Sequence, residues 1–207
     1  IEPISDAWEK EQVTFDGIYT GYLASKGQCR QVCEFFDRFG TPDNLILVDP
    51  AMADNGKLYP AFDASFPAAM AEVCGKADVI LPNITEACLL TGMPYKTSYD
   101  EAYIRTLLEK LLELGCGAAA LTGVSYEPDK LGIAYLTKEG KSFSYFTRKC
   151  PQSFHGTGDL YSSVVMGGLM RGMSLDDSLS IAADFVVECI EATASSKSAR
   201  WYGVEFE

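Results

Sequence analysis

The sequence has 207 residues, 47% of them apolar and 22% charged, and a formal net charge of -12. That composition supports one large globular domain with a real core, here expected to run over 1–207. The acidic balance excludes a general nucleic-acid binder, which carries a basic face. No apolar run approaches the roughly 20 residues of a membrane-spanning helix, and no leader pattern is visible. The expected location is therefore the cytoplasm, with neither nucleic acid nor membrane as partner.

Seven cysteines (Cys29, Cys33, Cys74, Cys88, Cys116, Cys150 and Cys189) form no Cys-x-x-Cys, and His155 is the single histidine. This is a poor ligand set for zinc. Cys29 and Cys33 stand one helical turn apart, as a redox pair or as idle thiols in a reducing compartment.

Along the chain, short apolar runs alternate with amphipathic stretches. Phe15 to Leu23 reads as a strand and Gln28 to Phe39 as a helix. Leu45 to Val48 is a buried strand ending at Asp49-Pro50. Asp63 is placed to cap a helix running to about Cys74. Val79 to Leu81 is a further short strand, ending at Pro82-Asn83. Ser98 and Glu101 match a capping box. The helix behind them puts Ile104, Leu107, Leu108, Leu111 and Leu112 on one face.

Ala118 to Leu121 is a strand ending at Thr122-Gly123. Leu131 to Leu136 and Ser142 to Thr147 form a hairpin about Glu139-Gly140. A helix starts near Gly158 and reaches Met170. Another follows Ser174, with Leu179, Ala182, Ala183, Val186 and Ile190 inward. Strands alternating with helices predict an α/β fold with a mostly parallel sheet. Ligands of such sheets lie at the carboxyl ends of the strands, where Asp49, Asn83 and Thr122 fall.

Phe154-His155-Gly156-Thr157-Gly158-Asp159 opens a helix. Glycines there let backbone N–H groups approach an anion, assisted by the helix dipole. Asp159 fits a base that takes a proton from an attacking hydroxyl while the amides hold a phosphoryl group. It equally fits a helix cap behind a glycine turn. Asp49 and Glu86 of Asn83-Ile84-Thr85-Glu86 are candidates to hold hydrated magnesium. Alternatively, Thr85 caps a helix whose first turn carries Glu86. Gly140-Lys141-Ser142 imitates the end of a Walker A loop, but position 135 is Tyr135 and the segment joins two strands. Gly115-Cys116-Gly117 with Ala120 imitates a dinucleotide fingerprint but precedes a strand. His155 has no nucleophile–base partner pattern and reads as serving a backbone or packing role.

Taken in order, Asp49-Pro50, Asn83-x-x-Glu86, Thr122-Gly123 and Gly156-Thr157-Gly158-Asp159 resemble the ribokinase-like superfamily of small-molecule kinases. Tyr19-Thr20-Gly21-Tyr22 and the stretch from Asp49-Pro50-Ala51-Met52-Ala53-Asp54 to Tyr59 are similar to pyridoxal kinases, from whose pattern Ala51 and Ala53 depart. The resemblance implies a three-layer α/β/α sandwich around a mostly parallel sheet. It also implies ATP-dependent phosphorylation of the 5′-hydroxymethyl group of pyridoxal or a related B6 vitamer, giving pyridoxal 5′-phosphate.

By the same resemblance, Asp159 is the base. Gly156, Thr157 and Gly158 form the anion hole, and Asn83, Thr122 and Gly123 contact the nucleotide. Asp49 and Glu86 position Mg2+, with Asp54 near the metal, and Tyr22 and Tyr59 border the substrate ring. A homodimer is implied as well. A hydroxymethylpyrimidine kinase is the nearest alternative, and a non-catalytic nucleotide-binding protein on the same fold comes from another class. Preferred vitamer and any monovalent cation stay open. Measured against the family pattern, the chain starts inside it and is expected to be N-terminally incomplete.

Overall fold

The computed structural model of the chain describes residues 1–196 and 203–206. Helix α1 (Glu2–Lys10) leads into strand β1 (Gly17–Thr20), helix α2 (Lys26–Phe39) and strand β2 (Leu45–Val48). A small ladder, β3 (Ala53–Asp54) and β4 (Lys57–Leu58), precedes α3 (Phe66–Cys74), β5 (Val79–Ile80), α4 (Ile84–Thr91) and α5 (Glu101–Leu112). Then come β6 (Ala118–Val124), β7 (Lys130–Thr137), β8 (Ser142–Arg148), α6 (Thr157–Met170) and α7 (Leu175–Ser195). The main sheet has the order β1-β2-β5-β6-β7-β8. Neighbours from β1 to β6 pair in parallel, in the registers Ile18↔Ile46, Val48↔Ile80 and Ile80↔Ala119. The α/β fold with a mostly parallel sheet is thus as the alternating pattern predicts.

The chain gathers into two compact units, Ile1–Thr122 with Tyr135–Ser142 and Gly123–Ala134 with Phe143–Glu207. In the first, Leu47, Val48, Ile80 and Leu121 of the sheet are fully buried, as are Met70 and Val73 of α3. Helix α5 adds Ile104, Leu107, Leu108 and Leu111 to that core. Each such aliphatic side chain contributes roughly 1.5–3 kcal/mol on burial, so this face, and not intrinsic propensity, holds the helix. Leu112 is only half-buried.

Helix α1 has no counterpart in the sequence reading. Its Trp8 ring meets Phe15 at 5.3 Å and Phe35 at 6.1 Å, edge-on in both cases. Arg38 of α2 donates to Asp6 and Glu9, each at 2.8 Å.

In the second unit, α6 and α7 pack through Val165, Leu179 and Ala182, all fully buried. Ala183, Val186 and Ile190 are half-buried, and Cys189 takes the more buried position. Ser174 caps α7 by accepting from the Asp177 N–H at 3.1 Å. In the first unit, the β7–β8 hairpin turns at Gly140, as expected, with the Thr137 N–H donating to the Lys141 carbonyl at 2.9 Å.

The structure corrects several local expectations. β1 is confined to Gly17–Thr20, shorter than Phe15 to Leu23, and α2 starts at Lys26 because Ser25 accepts from the Gln28 N–H. Asp63 does not cap α3. Ser65 occupies that position without a side-chain cap, and the Asp63 carboxylate accepts from the Ser65 N–H at 2.8 Å. β5 stops at Ile80, although the Leu81 N–H still reaches the Val48 carbonyl at 2.9 Å. β6 runs on through Thr122-Gly123 to Val124.

The Ser98–Glu101 box does not form, because Asp100 is the N-cap and its side chain accepts from the Tyr103 N–H at 2.9 Å. Asp100→Ala should therefore cost about 1 kcal/mol in urea unfolding, whereas Ser98→Ala should leave the midpoint unchanged.

Two short connections are welded by glycine. A Cβ on Gly75 would sit 2.5 Å from the Leu114 carbonyl oxygen, and one on Gly115 would sit 2.8 Å from that of Gly75. One on Gly117 would lie 2.8 Å from the Asp78 carbonyl oxygen. The loops entering β5 and β6 thus touch backbone to backbone.

Candidate functional site

In the first unit, the parallel strands deliver the polar residues to one edge. Asp49 follows β2, with its N–H on the Thr20 carbonyl at 2.8 Å. Asn83 follows β5 and forms an isolated parallel bridge with Thr122, whose N–H donates to the Pro82 carbonyl at 2.9 Å. Asp49, Asn83, Glu86 and Thr122 therefore belong to the carboxyl end of one sheet, where α/β folds bind ligands.

Asn83, not Thr85, caps α4. Its Oδ1 accepts from the Glu86 N–H at 3.0 Å, while Glu86 Oε2 accepts from the Asn83 N–H at 2.8 Å. This reciprocal pair is a capping box. Asn83 Nδ2 donates to the Ala53 carbonyl at 2.8 Å, and Glu86 Oε1 accepts from the N–H groups of Met52 at 3.1 Å and Ala53 at 3.4 Å. Thr85 Oγ1 accepts from the Gly56 N–H at 3.0 Å. One helix start thus fixes the whole stretch after β2. Its tip, Asn55-Gly56, has positive φ at both residues (51° and 77°), as a type I′ turn requires. The Asn-Gly pair between two short extended stretches was the signal for this ladder, which the sequence reading passed over.

Glu86 is 3% exposed and Asp49 is 7% exposed. Burial, then the charge of Asp49, pushes the Glu86 carboxyl up to about 8, and the N–H groups of Asn83, Met52 and Ala53 pull the other way. Two buried carboxylates that repel one another suit a cation. The oxygens of Glu86 are engaged by backbone, so it fits hydrated Mg2+ through water. Asp54 is exposed, and its carboxylate accepts from the N–H and Nδ2 of Asn55, closing its own turn. Among the described residues no group of three or more His, Cys, Asp or Glu could hold a metal.

The two tyrosines meet through a residue that the sequence reading did not single out. Phe62 lies 5.4 Å from Tyr22 and 6.5 Å from Tyr59 between ring centroids. It stacks on buried Phe66 at 3.9 Å. The Tyr59-x-x-Phe62-x-x-x-Phe66 spacing was the available signal.

In the second unit, Gly156 is the N-cap of α6 with φ 83°, and no side chain caps the helix. The first N–H groups of a helix so begun are orphan donors, with the dipole favouring an anion. A Cβ on Gly156 or Gly158 would meet nothing within 4 Å, as would one on Gly123, so no protein packing demands glycine at these places. Thr157 Oγ1 donates back to the Phe154 carbonyl at 3.3 Å. Asp159 lies exposed in the first turn, and His155 is exposed as well, not packed. Asp159 is not the cap that the alternative reading required.

An α/β protein with acidic and amide groups at its strand ends and an uncapped, glycine-led helix belongs to a class that handles phosphorylated ligands. Over residues 9–202 the chain matches the family described as phosphomethylpyrimidine kinase, and it belongs to that family.

A Bacteroides thetaiotaomicron protein assigned as a phosphomethylpyrimidine kinase, crystallised with pyridoxal, is 35% identical with a TM-score of 0.91 over 98% of this chain and 72% of that one. Pyridoxal kinase of Lactobacillus plantarum is 32% identical, with a TM-score of 0.88 over 98% of this chain and 72% of its own. The hydroxymethylpyrimidine/phosphomethylpyrimidine kinase of Bacillus subtilis is 26% identical over 185 residues, 88% of this chain and 66% of that protein. The chain thus spans about two thirds of that relative's length. The resemblance to ribokinase-like kinases drawn from the motifs is borne out. Both pyridoxal and pyrimidine kinases stand among the relatives. Among the described residues no helix is long and apolar enough to cross a membrane.

Proposed function

We propose that the protein transfers the γ-phosphoryl group of ATP to a hydroxymethyl group on a nitrogen heteroaromatic ring, with a B6 vitamer such as pyridoxal as substrate. The observation that carries the reading is Asp159 in the first turn of α6, behind the open, uncapped Gly156-Thr157-Gly158 start. In this reading the hydroxyl gives its proton to the Asp159 carboxylate. Its oxygen forms a bond to the γ-phosphorus, the bond to the bridging oxygen breaks, and ADP leaves. The N–H groups at the α6 start hold the transferring oxygens. Asn83, Thr122 and Gly123 contact the nucleotide phosphates. Asp49 would hold Mg2+, with Glu86 acting through water and Asp54 beside them. When bound, that ion offsets charge on the phosphates.

Similarity to the Bacteroides structure with pyridoxal and to the Lactobacillus kinase supports the B6 ring, as does the Tyr22–Tyr59 pair beside Phe62. The Bacillus relative favours a second reading, in which hydroxymethylpyrimidine is the acceptor of the same transfer. The full-length protein should form pyridoxal 5′-phosphate from pyridoxal and MgATP, followed at the absorbance of the product. Turnover of hydroxymethylpyrimidine alone would keep the chemistry and replace the substrate. No turnover of either ring would overturn the kinase reading.

A further inference from the structure

Among the described residues two clusters join four aromatic rings each, and only one is explained by packing. Trp8, Phe15, Phe35 and Phe39 join α1 to α2, and Phe39 is buried. The other cluster stays open. Tyr22 is 51% exposed and Tyr59 is 37% exposed, yet Phe62 brings both to one place from separate stretches of the chain. Phe62 has one face committed, stacked on Phe66 with an angle of 15° between the rings. Phe66 is itself 2% exposed at the start of α3 and makes a rigid floor.

The loop that carries Phe62 is held on both sides. The Phe62 N–H donates to the Tyr59 carbonyl at 3.0 Å, and the Phe66 N–H donates to the Asp63 carbonyl at 3.0 Å. Lys26, the first residue of α2, donates through Nζ to Ser65 Oγ at 2.7 Å and to Asp63 Oδ2 at 3.3 Å. The Ser65 hydroxyl donates to Asp63 Oδ1 at 2.5 Å. These bonds with Ser65, then Lys26, hold the Asp63 carboxyl down to about 2, so it stays ionised throughout the physiological range. Phe62 itself is half-buried, and an aromatic ring fixed in place before a ligand arrives loses little entropy on contact.

We propose that Phe62 is a specificity-determining residue, its ring packing directly against the heteroaromatic ring of the substrate, with Lys26, Asp63 and Ser65 as positioning residues that hold it there. The inference rests on the ring-kinase reading, and it adds to Tyr22 and Tyr59 the ring that joins them. A stacked ring is worth on the order of 1–3 kcal/mol in nucleobase sites, so losing it should weaken binding about tenfold or more.

The test is calorimetric titration of the full-length protein with pyridoxine, which has no aldehyde to form an imine with Lys26, and separately with hydroxymethylpyrimidine. Wild type, Phe62→Ala, Phe62→Leu and Phe62→Tyr are compared, each checked for fold by circular dichroism. Phe62→Leu keeps apolar contact with Phe66 and guards against an alanine variant that fails to fold. The expected result is a Kd raised about tenfold or more in Phe62→Leu and restored in Phe62→Tyr. KM should rise in step, with kcat within about threefold of wild type.

Equal Kd values in wild type and Phe62→Leu would overturn the inference and leave the kinase reading standing. So would a wild type that binds neither ring. Ring binding that depends on Phe62 in a protein with no phosphoryl transfer would uphold the inference and remove the kinase reading.

Discussion

Asp159→Asn is expected to lower phosphorylation of the preferred ring by about 10²–10⁴-fold, the range supplied by a positioned general base, with little change in stability. Asparagine keeps the size and the hydrogen-bonding oxygen of the side chain but cannot take the proton. The residue is exposed, and its structural contribution is made by the backbone, whose carbonyl accepts from Ser163 Oγ at 2.7 Å. The substitution therefore separates chemistry from folding. Steady-state kinetics with MgATP should show the loss in kcat and kcat/KM together, with ring affinity by titration retained. A variant with kcat near wild type would remove Asp159 from the role of base and leave it as a first-turn acid favoured by the helix dipole.

Glu86→Ala has the largest expected effect on stability. The carboxylate accepts from the backbone N–H groups of Met52, Ala53 and Asn83. Each buried donor left without a partner costs about 1–3 kcal/mol, so a loss of about 3–5 kcal/mol in urea unfolding is expected. Glu86→Gln should fall between, because its amide nitrogen can no longer accept on one side.

The pH dependence has a definite sign. The carboxyl is raised in the folded chain from an ordinary value of 4.5 to about 8, so the folded state holds a proton that the unfolded chain has released. Its stabilising contribution is whole below about 4.5 and is lost as pH rises through about 8. The urea midpoint of wild type should decline across that window, and that of Glu86→Gln should decline less. Equal slopes would mean that the carboxyl ionises inside the fold without penalty.

The elements that announced themselves in the sequence were those held by burial. Leu45 to Val48 is apolar enough for a covered strand, and the Ile104-to-Leu111 face has helical spacing. The Gly156-Thr157-Gly158-Asp159 helix start was equally legible, since the glycines and the following apolar pattern are local. What escaped was set by competition between neighbours. Asp100 outcompeted Ser98 as a cap, and Ser65 displaced Asp63 by a two-residue shift that no periodicity records.

The role of Glu86 was half-visible. Its pairing with Asp49 as a metal candidate was readable, but two of its three backbone partners, Met52 and Ala53, lie more than 30 residues away in sequence. Phe62 was hidden for a similar reason, because Tyr22 joins it only through the fold.

The glycines divide into two populations that selection would register differently. At Gly75, Gly115 and Gly117 any side chain strikes a neighbouring main chain, so substitutions there deplete the folded protein itself. At Gly158 the space beyond the Cα is open, and a substituted chain would accumulate normally while failing to turn over substrate. A library of variants scored twice, once for cellular abundance and once for growth that depends on the enzyme, would mark the first group in both scores and Gly158 only in the second. The gap between the two scores would outline the ligand's footprint without any ligand having been added.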